Sequence, residues 1–159
     1  MAISSTTIRL VWCALLLAVA PWVQAHPPLS LPERAGMVKV VQGEVQVTNA
    51  AGERALQPGD PVAQADTVRT GANSSTSLVL RDGTTLVLGA NSLVNLQDFS
   101  YNATTQEGNI LVSVLRGTMR MLTGLIGKTR PESVNITTPT STIGILGTDF
   151  IVQVPEGGQ

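Results

Sequence analysis

Residues 67–92, TVRTGANSSTSLVLRDGTTLVLGANS, contain one pattern twice. The pattern Thr-x-x-x-Gly-Ala-Asn-Ser begins at Thr67 and again at Thr85, about one solenoid turn or one wide hairpin later. Between the copies, Asp82-Gly83 separates two short apolar runs, which is typical of a β-hairpin with a type I′ turn. The stretch therefore predicts β-structure in which the two Gly-Ala-Asn-Ser copies form equivalent corners.

The rest of the chain from Met37 onward also alternates between apolar and polar residues. Residues 38–47, 109–122, 133–137 and 149–154 all show this period of two, and Gly117 predicts a kink or bulge within the second of them. Residues 122–131 are ambiguous between a short helix and a loop, and their two glycines favour a loop. No convincing helical period appears, so the predicted class is all-β.

Two all-β architectures fit this pattern. The first is a stack of short strands and hairpins, similar to a β-helix or solenoid, and the second is an antiparallel β-sandwich. The core residues are mostly Val, Leu and Ile, with few aromatic side chains, and this composition suits thin repeated layers turned by glycine. The repeat is compatible with both architectures.

The first 25 residues are predicted to be a secretory signal peptide. A polar start with one positive charge precedes an apolar run at residues 10–20, and small residues precede His26. The run is short for a bilayer span, although an uncleaved anchor is the alternative. Residues 26–35 then read as a proline-rich leader, 36–154 as one domain and 155–159 as a C-terminal tail. The expected location is the periplasm or the exterior, with no membrane span after signal cleavage.

The composition of the exported part excludes several classes of protein. Without the signal peptide the chain has no cysteine and no tryptophan, and its aromatic residues are Phe99, Tyr101 and Phe150. Removal of the signal peptide, which contains Arg9, leaves nine basic and eleven acidic residues. The net charge of the exported part is therefore −2, and residues of both signs are scattered along it. An exported domain without disulfides depends on packing. The sequence also lacks the basic stripe and stacking aromatics of a nucleic-acid-binding protein.

Residues for catalysis or metal binding are scarce. His26 is the single histidine, and the exported part has no cysteine, so it offers neither a zinc site nor the usual nucleophile and base. The carboxylates Asp60, Asp66, Asp82 and Asp149 stand beside Gly, Thr or Pro, where capping of turns is the expected role. We therefore expect no catalytic residues, no metal, no cofactor and no enzymatic activity.

Several motifs together resemble the FecR domain. They are VVQGEVQV, then LQPGDPVAQADTVRTGANSSTSLVLRDGTTLVLGANSLVNL, then LRGTMR and ITTPTSTIGILGTDFIVQV, in that order between Gly36 and Val154. The positions that carry the resemblance are Gly59, Asp60, Thr70, Gly71, Asp82, Gly83, Thr138, Pro139, Gly144, Gly147, Thr148, Asp149 and Phe150. In the structural interpretation Gly147 turns a corner, the side chain of Thr148 or Asp149 closes it, and Phe150 enters the core.

The resemblance implies a periplasmic or extracellular module with β-helix-like coils. The best-known members are transmembrane anti-sigma regulators that sense an outer-membrane siderophore receptor. This sequence departs from them in two ways: nine residues precede the apolar run, too few for a cytoplasmic sigma-binding segment, and Leu146 stands where the family pattern has arginine.

Three functions follow as hypotheses. The first is an exported, non-enzymatic module that binds an envelope protein or a cell-wall component, and not nucleic acid. The second is a periplasmic component of a cell-surface signalling system of the sigma and anti-sigma type. The third is a carbohydrate-binding β-helix protein, which the scarcity of aromatic platforms disfavours.

Overall fold

The computed structural model describes residues 33–145 and 147–155. The predictions for the signal peptide, for most of the leader, for Leu146 and for the tail after Pro155 lie outside these residues. The first strand begins at Arg34, two residues before the predicted start of the domain.

The described residues form twelve strands and two short helical segments. The strands are β1 (Arg34–Gln42), β2 (Val45–Asn49), β3 (Gly52–Ala55), β4 (Pro61–Ala63), β5 (Thr67–Thr70), β6 (Ser75–Leu80), β7 (Thr85–Leu88), β8 (Leu93–Tyr101), β9 (Gly108–Leu122), β10 (Val134–Thr137), β11 (Thr142–Gly144) and β12 (Asp149–Val154). Helix α1 spans Leu125–Thr129, and one turn of 3₁₀ helix spans Pro131–Ser133.

The long strand β9 joins two halves of one sheet. The strand order is β3-β2-β5-β8-β9-β7-β6-β1-β4. Before Gly117, β9 pairs with β8 and β10; after it, β9 pairs with β7 and β12. We call β4, β1, β6, β7, the second part of β9 and β12 the first half-sheet. The second half-sheet contains β3, β2, β5, β8, the first part of β9, β10 and β11.

The all-β class is therefore confirmed, as an antiparallel sheet curled into a half-barrel. Every strand pairing among the described residues is antiparallel except that of β10 with β9. The solenoid prediction is not confirmed, because each strand here pairs laterally within a curled sheet and does not form a coil stacked on the next. The thin aliphatic core that suggested coils also suits a half-barrel.

The inward-facing side chains of both half-sheets form one apolar core. The largest of those with less than 2% exposure are Leu86, Leu88, Ile110, Met119, Met121 and Ile136, and Ile126 of α1 is buried with them. The predicted alternation fails at Val40, which is 43% exposed. The register between β1 and β6 shifts between Val38 and Val40, so this bulge turns Val40 outward and leaves Val41 packed against the core.

The Asp82-Gly83 hairpin is present, but the predicted type I′ turn is wrong. Leu78 pairs with Leu86, and the Leu80 N–H donates to the Thr84 carbonyl at 2.8 Å, so the loop has three residues. Gly83 has a φ of +86°, whereas Asp82 is not in the left-handed region. The Asp82 carboxylate instead accepts hydrogen bonds from the Thr84 N–H at 3.0 Å and from its hydroxyl at 2.7 Å.

The loop predicted for residues 122–131 contains a helix. A Cβ on Gly124 would lie 2.7 Å from the Gly83 carbonyl carbon, so this glycine permits close packing against the hairpin. The Leu125 N–H donates to the Asp82 carbonyl at 2.9 Å at the point where α1 begins. The glycine that suggested a loop therefore serves the contact between α1 and the β6–β7 hairpin.

Candidate functional site

The two Gly-Ala-Asn-Ser segments are equivalent corners. The first carries the chain from β5 in the second half-sheet to β6 in the first, and the other carries it from β7 back to β8. Asn73 and Asn91 have φ values of 56° and 51°, a left-handed conformation that asparagine tolerates better than most residues. The predicted repeat thus corresponds to two matching crossings between the half-sheets.

The serine of each corner forms a hydrogen bond with the backbone of another segment that passes from one half-sheet to the other. The Ser74 hydroxyl accepts a hydrogen bond from the Glu44 N–H at 2.9 Å, next to Gly43. The Ser92 hydroxyl accepts one from the Thr118 N–H at 3.0 Å, next to Gly117. Both glycines have positive φ, +73° and +84°.

Backbone hydrogen bonds extend this arrangement into a continuous row. The Gly71 N–H donates to the Glu44 carbonyl and the Gly89 N–H donates to the Thr118 carbonyl, each at 2.9 Å. The Asn91 N–H joins the two corners through the Gly71 carbonyl at 3.1 Å. We call this row the crossover seam; its residues are Gly43, Glu44, Gly71–Ser74, Gly89–Ser92, Gly117 and Thr118. Its polar groups bond to one another, so its role is structural.

The strands that meet the two matching corners of the crossover seam are equivalent in the two half-sheets. The outer faces of the half-sheets can therefore be compared residue by residue. Strand β5 corresponds to β7, and β2 corresponds to the second part of β9. Arg69 pairs with Gln46 in one half-sheet as Val87 pairs with Arg120 in the other. Arg69 of the second half-sheet therefore occupies the outward position that Val87 occupies in the first half-sheet. On the next strand, Thr48 occupies the position equivalent to that of Leu122.

The outer face of the first half-sheet is rich in apolar side chains. We call this surface the apolar face; it consists of Met37, Val40, Val79, Val87, Leu122 and Ile151. In one row of paired residues Met37 lies beside Val79, and in a second row Val87 lies beside Arg120, which lies beside Ile151. Ile151 is 65% exposed and Met37 is 57% exposed.

One ion pair lies on the apolar face. Arg120 donates to the Asp149 carboxylate through Nε at 2.9 Å and through a terminal nitrogen at 2.5 Å. The hydrogen bond from Arg120 lowers the pKa of Asp149, and the same bond raises the pKa of Arg120. The two charges compensate each other, so the apolar face carries little net charge at its centre.

The outer face of the second half-sheet is mostly polar around Arg69, although Leu115 in the first part of β9 is 42% exposed. Its side chains bond to one another: Arg69 donates to Gln46 and to Glu53, and the Asn95 amide donates to the Thr67 hydroxyl at 2.7 Å. An antiparallel sheet with one solvated face normally looks like this. The apolar face is therefore the unusual one.

The residues that carried the family resemblance do not converge on one site. Gly59 and Asp60 lie in the turn before β4, where the Asp60 carboxylate accepts hydrogen bonds from the Gln57 N–H at 3.0 Å and from Arg54 at 2.7 Å. The backbone bond from Gln57, followed by that from Arg54, lowers the pKa of Asp60. This geometry agrees with the turn-capping role expected for Asp60.

Other motif residues lie at the seam or at a separate turn. Thr70 is buried, and its hydroxyl donates to the Gly89 carbonyl at 2.6 Å and accepts from the Ser92 N–H at 2.9 Å, beside Gly71. The Thr138 hydroxyl accepts from the Ser141 N–H at 3.1 Å and so closes the turn around Pro139. These groups serve the backbone of the fold.

The last motif behaves differently from the prediction. The Asp149 side chain does not close a corner, since it reaches across to Arg120. The Thr148 carbonyl accepts from the Thr123 N–H at 2.9 Å, and Gly144 and Gly147 are exposed. Phe150 is partly buried and packs against the core without entering it fully.

Comparison with known proteins agrees with the sequence motifs. The family model described as "FecR protein" matches residues 66–159, which is more than half of the chain. The chain belongs to the FecR family. The matched range begins at Asp66 and therefore covers β5 to β12. Membership implies a signalling-related module of the cell envelope.

The other comparisons add little to this assignment. One solved structure, described as "Cell surface anchoring domain", is similar at 36% sequence identity over 42% of this FecR chain and 88% of its own, with a TM-score of 0.40. A search of curated proteins found no match.

Within the part of this FecR protein that the structure describes, no three His, Cys, Asp or Glu side chains are grouped closely enough to hold a metal ion. No helix among the described residues is long and apolar enough to cross a bilayer. Buried Asp66 instead accepts hydrogen bonds from the Ala63 N–H at 2.8 Å and from the Asn49 amide at 3.0 Å.

Sequence reasoning missed the apolar face of the FecR chain. The runs SLVL and TLVL contain consecutive apolar residues, and period two alone does not say which of them face outward. A comparison of the two repeats could have indicated the apolar face, because Val87 in the second copy occupies the position of Arg69 in the first copy. A cavity of about 450 Å³ extends the apolar face at one edge, where Met37, Pro61 and Val79 line it.

Proposed function

We propose that this FecR protein is a non-enzymatic interaction module of the cell envelope, and that it binds a protein partner through the apolar face. The observation that carries the proposal is the contrast between the outer faces of the two corresponding half-sheets. Around Arg69 one face presents polar side chains that bond to each other, whereas the other exposes Met37, Val40, Val87, Leu122 and Ile151 on neighbouring strands.

The energetics of exposed apolar surface support this function. Single apolar residues on a surface are normal, but a contiguous patch on a sheet marks an interaction site. Met37 and Val79 are neighbours in one row, and Val87 and Ile151 lie on either side of Arg120 in the next row. Burying such a patch against a partner is favourable by about 25 cal/mol per Å² of apolar area.

The chemistry of the face favours protein over carbohydrate as the partner. Sugar-binding surfaces use aromatic platforms, whereas the apolar face consists of methionine and branched aliphatic side chains. Its one carboxylate, Asp149, is held by Arg120 and is poorly placed to bind sugar hydroxyls. We infer a partner with an apolar, uncharged surface. Family membership favours a component of a cell-surface signalling system as that partner.

Site-specific photo-crosslinking in intact cells tests the proposal. A photoreactive amino acid is placed at Val87, and in a matched strain at Arg69, the equivalent position on the polar face. We expect a discrete adduct with one envelope protein from position 87 and none from position 69. The Leu122→Lys substitution should abolish the adduct, while Thr48→Lys at the equivalent position should leave it.

Two results would contradict the proposal. One is equal adduct formation from both faces, which would indicate non-specific collision. The other is an adduct from position 87 that is still formed in the Leu122→Lys variant. A lysine at position 122 would then not weaken binding, so the contact with the partner would not be apolar there. Circular dichroism of each variant checks that the fold is retained.

A further inference from the structure

The two half-sheets end in four edge strands, and three of them are protected against pairing with another chain. Strand β3 carries Glu53 and Arg54, β4 has three residues and begins with Pro61, and β11 also has three residues. Short length, charge and proline are the usual devices that prevent edge-to-edge association. Strand β12 has six residues and no proline, and the charge of Asp149 is neutralised by Arg120.

The register of β12 shows which of its backbone groups point away from β9. The Thr123 N–H donates to the Thr148 carbonyl at 2.9 Å, so alternate residues from Thr148 onward bond to β9. Phe150, Val152 and Val154 continue this series, opposite Met121, Met119 and Gly117. The N–H and C=O groups of Asp149, Ile151 and Gln153 therefore point to the free edge, where no described strand pairs with them.

Open space lies beside this edge. A cavity of about 350 Å³ borders residues 151–155 on one side and Thr138, Thr140 and Ile143 on the other. The β10–β11 hairpin therefore does not pair with β12, and no described strand fills the space beside its edge.

We propose that a second copy of this chain pairs with the first through β12, strand to strand and antiparallel. Centred on Ile151, this arrangement places Asp149 opposite Gln153 of the partner subunit, so that no like charges meet. The outward groups at positions 149, 151 and 153 then form about six backbone hydrogen bonds across the two-fold axis. Ile151, which is 65% exposed in the single chain, packs against the partner subunit's Ile151.

The proposal concerns the backbone edge of β12, which shares Ile151 with the apolar face but does not include Met37, Val79 or Val87. Pairing through β12 would continue the first half-sheet across the dimer and would leave most of the apolar face accessible. The closing experiment therefore includes a variant of each surface.

Sedimentation velocity of the purified chain, from about 10 µM to about 1 mM, measures the association. We expect a concentration-dependent dimer whose dissociation constant rises at least about tenfold in both Ile151→Lys and Gln153→Pro. The Gln153 N–H makes no bond to β9, so proline there removes an edge donor and leaves the fold intact. A chain that stays monomeric at about 1 mM would overturn the proposal, and so would a dimer that is lost in Val87→Lys but kept in Ile151→Lys.

Amide hydrogen exchange gives an independent readout that does not depend on mutation. On association, the amides of Asp149, Ile151 and Gln153 should slow with rising concentration. Those of Phe150, Val152 and Val154 should be protected at every concentration by β9. Concentration-dependent slowing of both sets, or of neither, would also overturn the pairing.

Discussion

Ser92 lies directly against Gly117, at the bend where β9 passes from one half-sheet to the other. A Cβ on Gly117 would be 2.5 Å from the Ser92 Cα, and the Ser92 hydroxyl accepts the neighbouring Thr118 N–H at 3.0 Å. Gly43 and Ser74 stand in the same relation, since a Cβ on Gly43 would be 3.0 Å from the Ser74 Cβ. The same type of serine–glycine contact therefore occurs at both ends of the crossover seam.

Gly117→Ala should destabilise the protein by about 3 kcal/mol or more, because the added methyl meets Ser92 and the backbone has a positive φ. Urea unfolding measures the loss. Gly52→Ala is the matched control, since Gly52 has a φ of +119° and nothing within 4 Å of an added Cβ. It should cost about 1–2 kcal/mol from the backbone alone. Equal losses in the two variants would show that the contact with Ser92 contributes nothing.

Ser92→Ala should cost about 1–3 kcal/mol, because Ser92 is fully buried and its loss leaves the Thr118 N–H without an acceptor. Thermal unfolding gives the loss, and exchange of the Thr118 amide should become faster. Ser75→Ala is the control, since its hydroxyl bonds to exposed Gln42 and its removal should change stability by less than about 0.5 kcal/mol. A Thr118 amide that remains fully protected in Ser92→Ala would contradict the expectation.

Gly124→Ala should be strongly destabilising, by about 3 kcal/mol, because the new methyl would overlap the backbone of the β6–β7 hairpin. Gly144→Ala is the comparison. Nothing lies within 4 Å of a Cβ there, and the substitution should be neutral or stabilise by up to about 1 kcal/mol. Chemical denaturation of both variants measures the difference. Similar stabilities would mean that α1 is not packed against the hairpin.

The ion pair between Arg120 and Asp149 predicts a dependence of stability on pH. The pKa of Asp149 is lower in the folded chain than in the unfolded chain because Arg120 donates hydrogen bonds to the carboxylate. The contribution is therefore present above the unfolded pKa of about 3.9 and is lost as the pH falls through the lower folded value.

Asp149→Asn should remove that contribution, so its unfolding free energy should fall less steeply than that of the wild type below about pH 4. High salt should narrow the difference, because both side chains are exposed. Urea midpoints across the acid range measure the two curves. Parallel curves would show that Asp149 is no more acidic in the folded chain than in the unfolded chain.

The corners were the most predictable part of the fold. Asn73 and Asn91 lie at the corners that the repeat predicted and take a left-handed conformation there, and Gly117 marks the bend of β9. These features depend on local backbone chemistry, and a residue's own conformational preferences indicate them. The prediction for the Asp82-Gly83 turn was wrong in detail, because the loop has three residues and the Asp82 carboxylate bonds to Thr84.

The candidate site was less predictable. The motif residues Gly59, Asp60, Thr138 and Pro139 are turn residues dispersed over the fold, and no local pattern indicated a surface. The apolar face becomes visible when β1, β7, β9 and β12 are assembled, because its members come from segments far apart in the chain. Arg120 and Asp149 likewise meet across β9 and β12.

The amino-acid sequence alone determined the all-β class, the FecR family and the positions of the crossings, because these depend on alternation and turn chemistry within a few residues. The arrangement of strands into a curled half-barrel, the apolar outer face, and an edge of β12 that no described strand covers became visible only in the folded chain. The physical reason is that strand pairing and exposure depend on contacts between residues distant in sequence, such as β9 with its four neighbours. A two-residue period specifies the two sides of a strand but not the strands beside it.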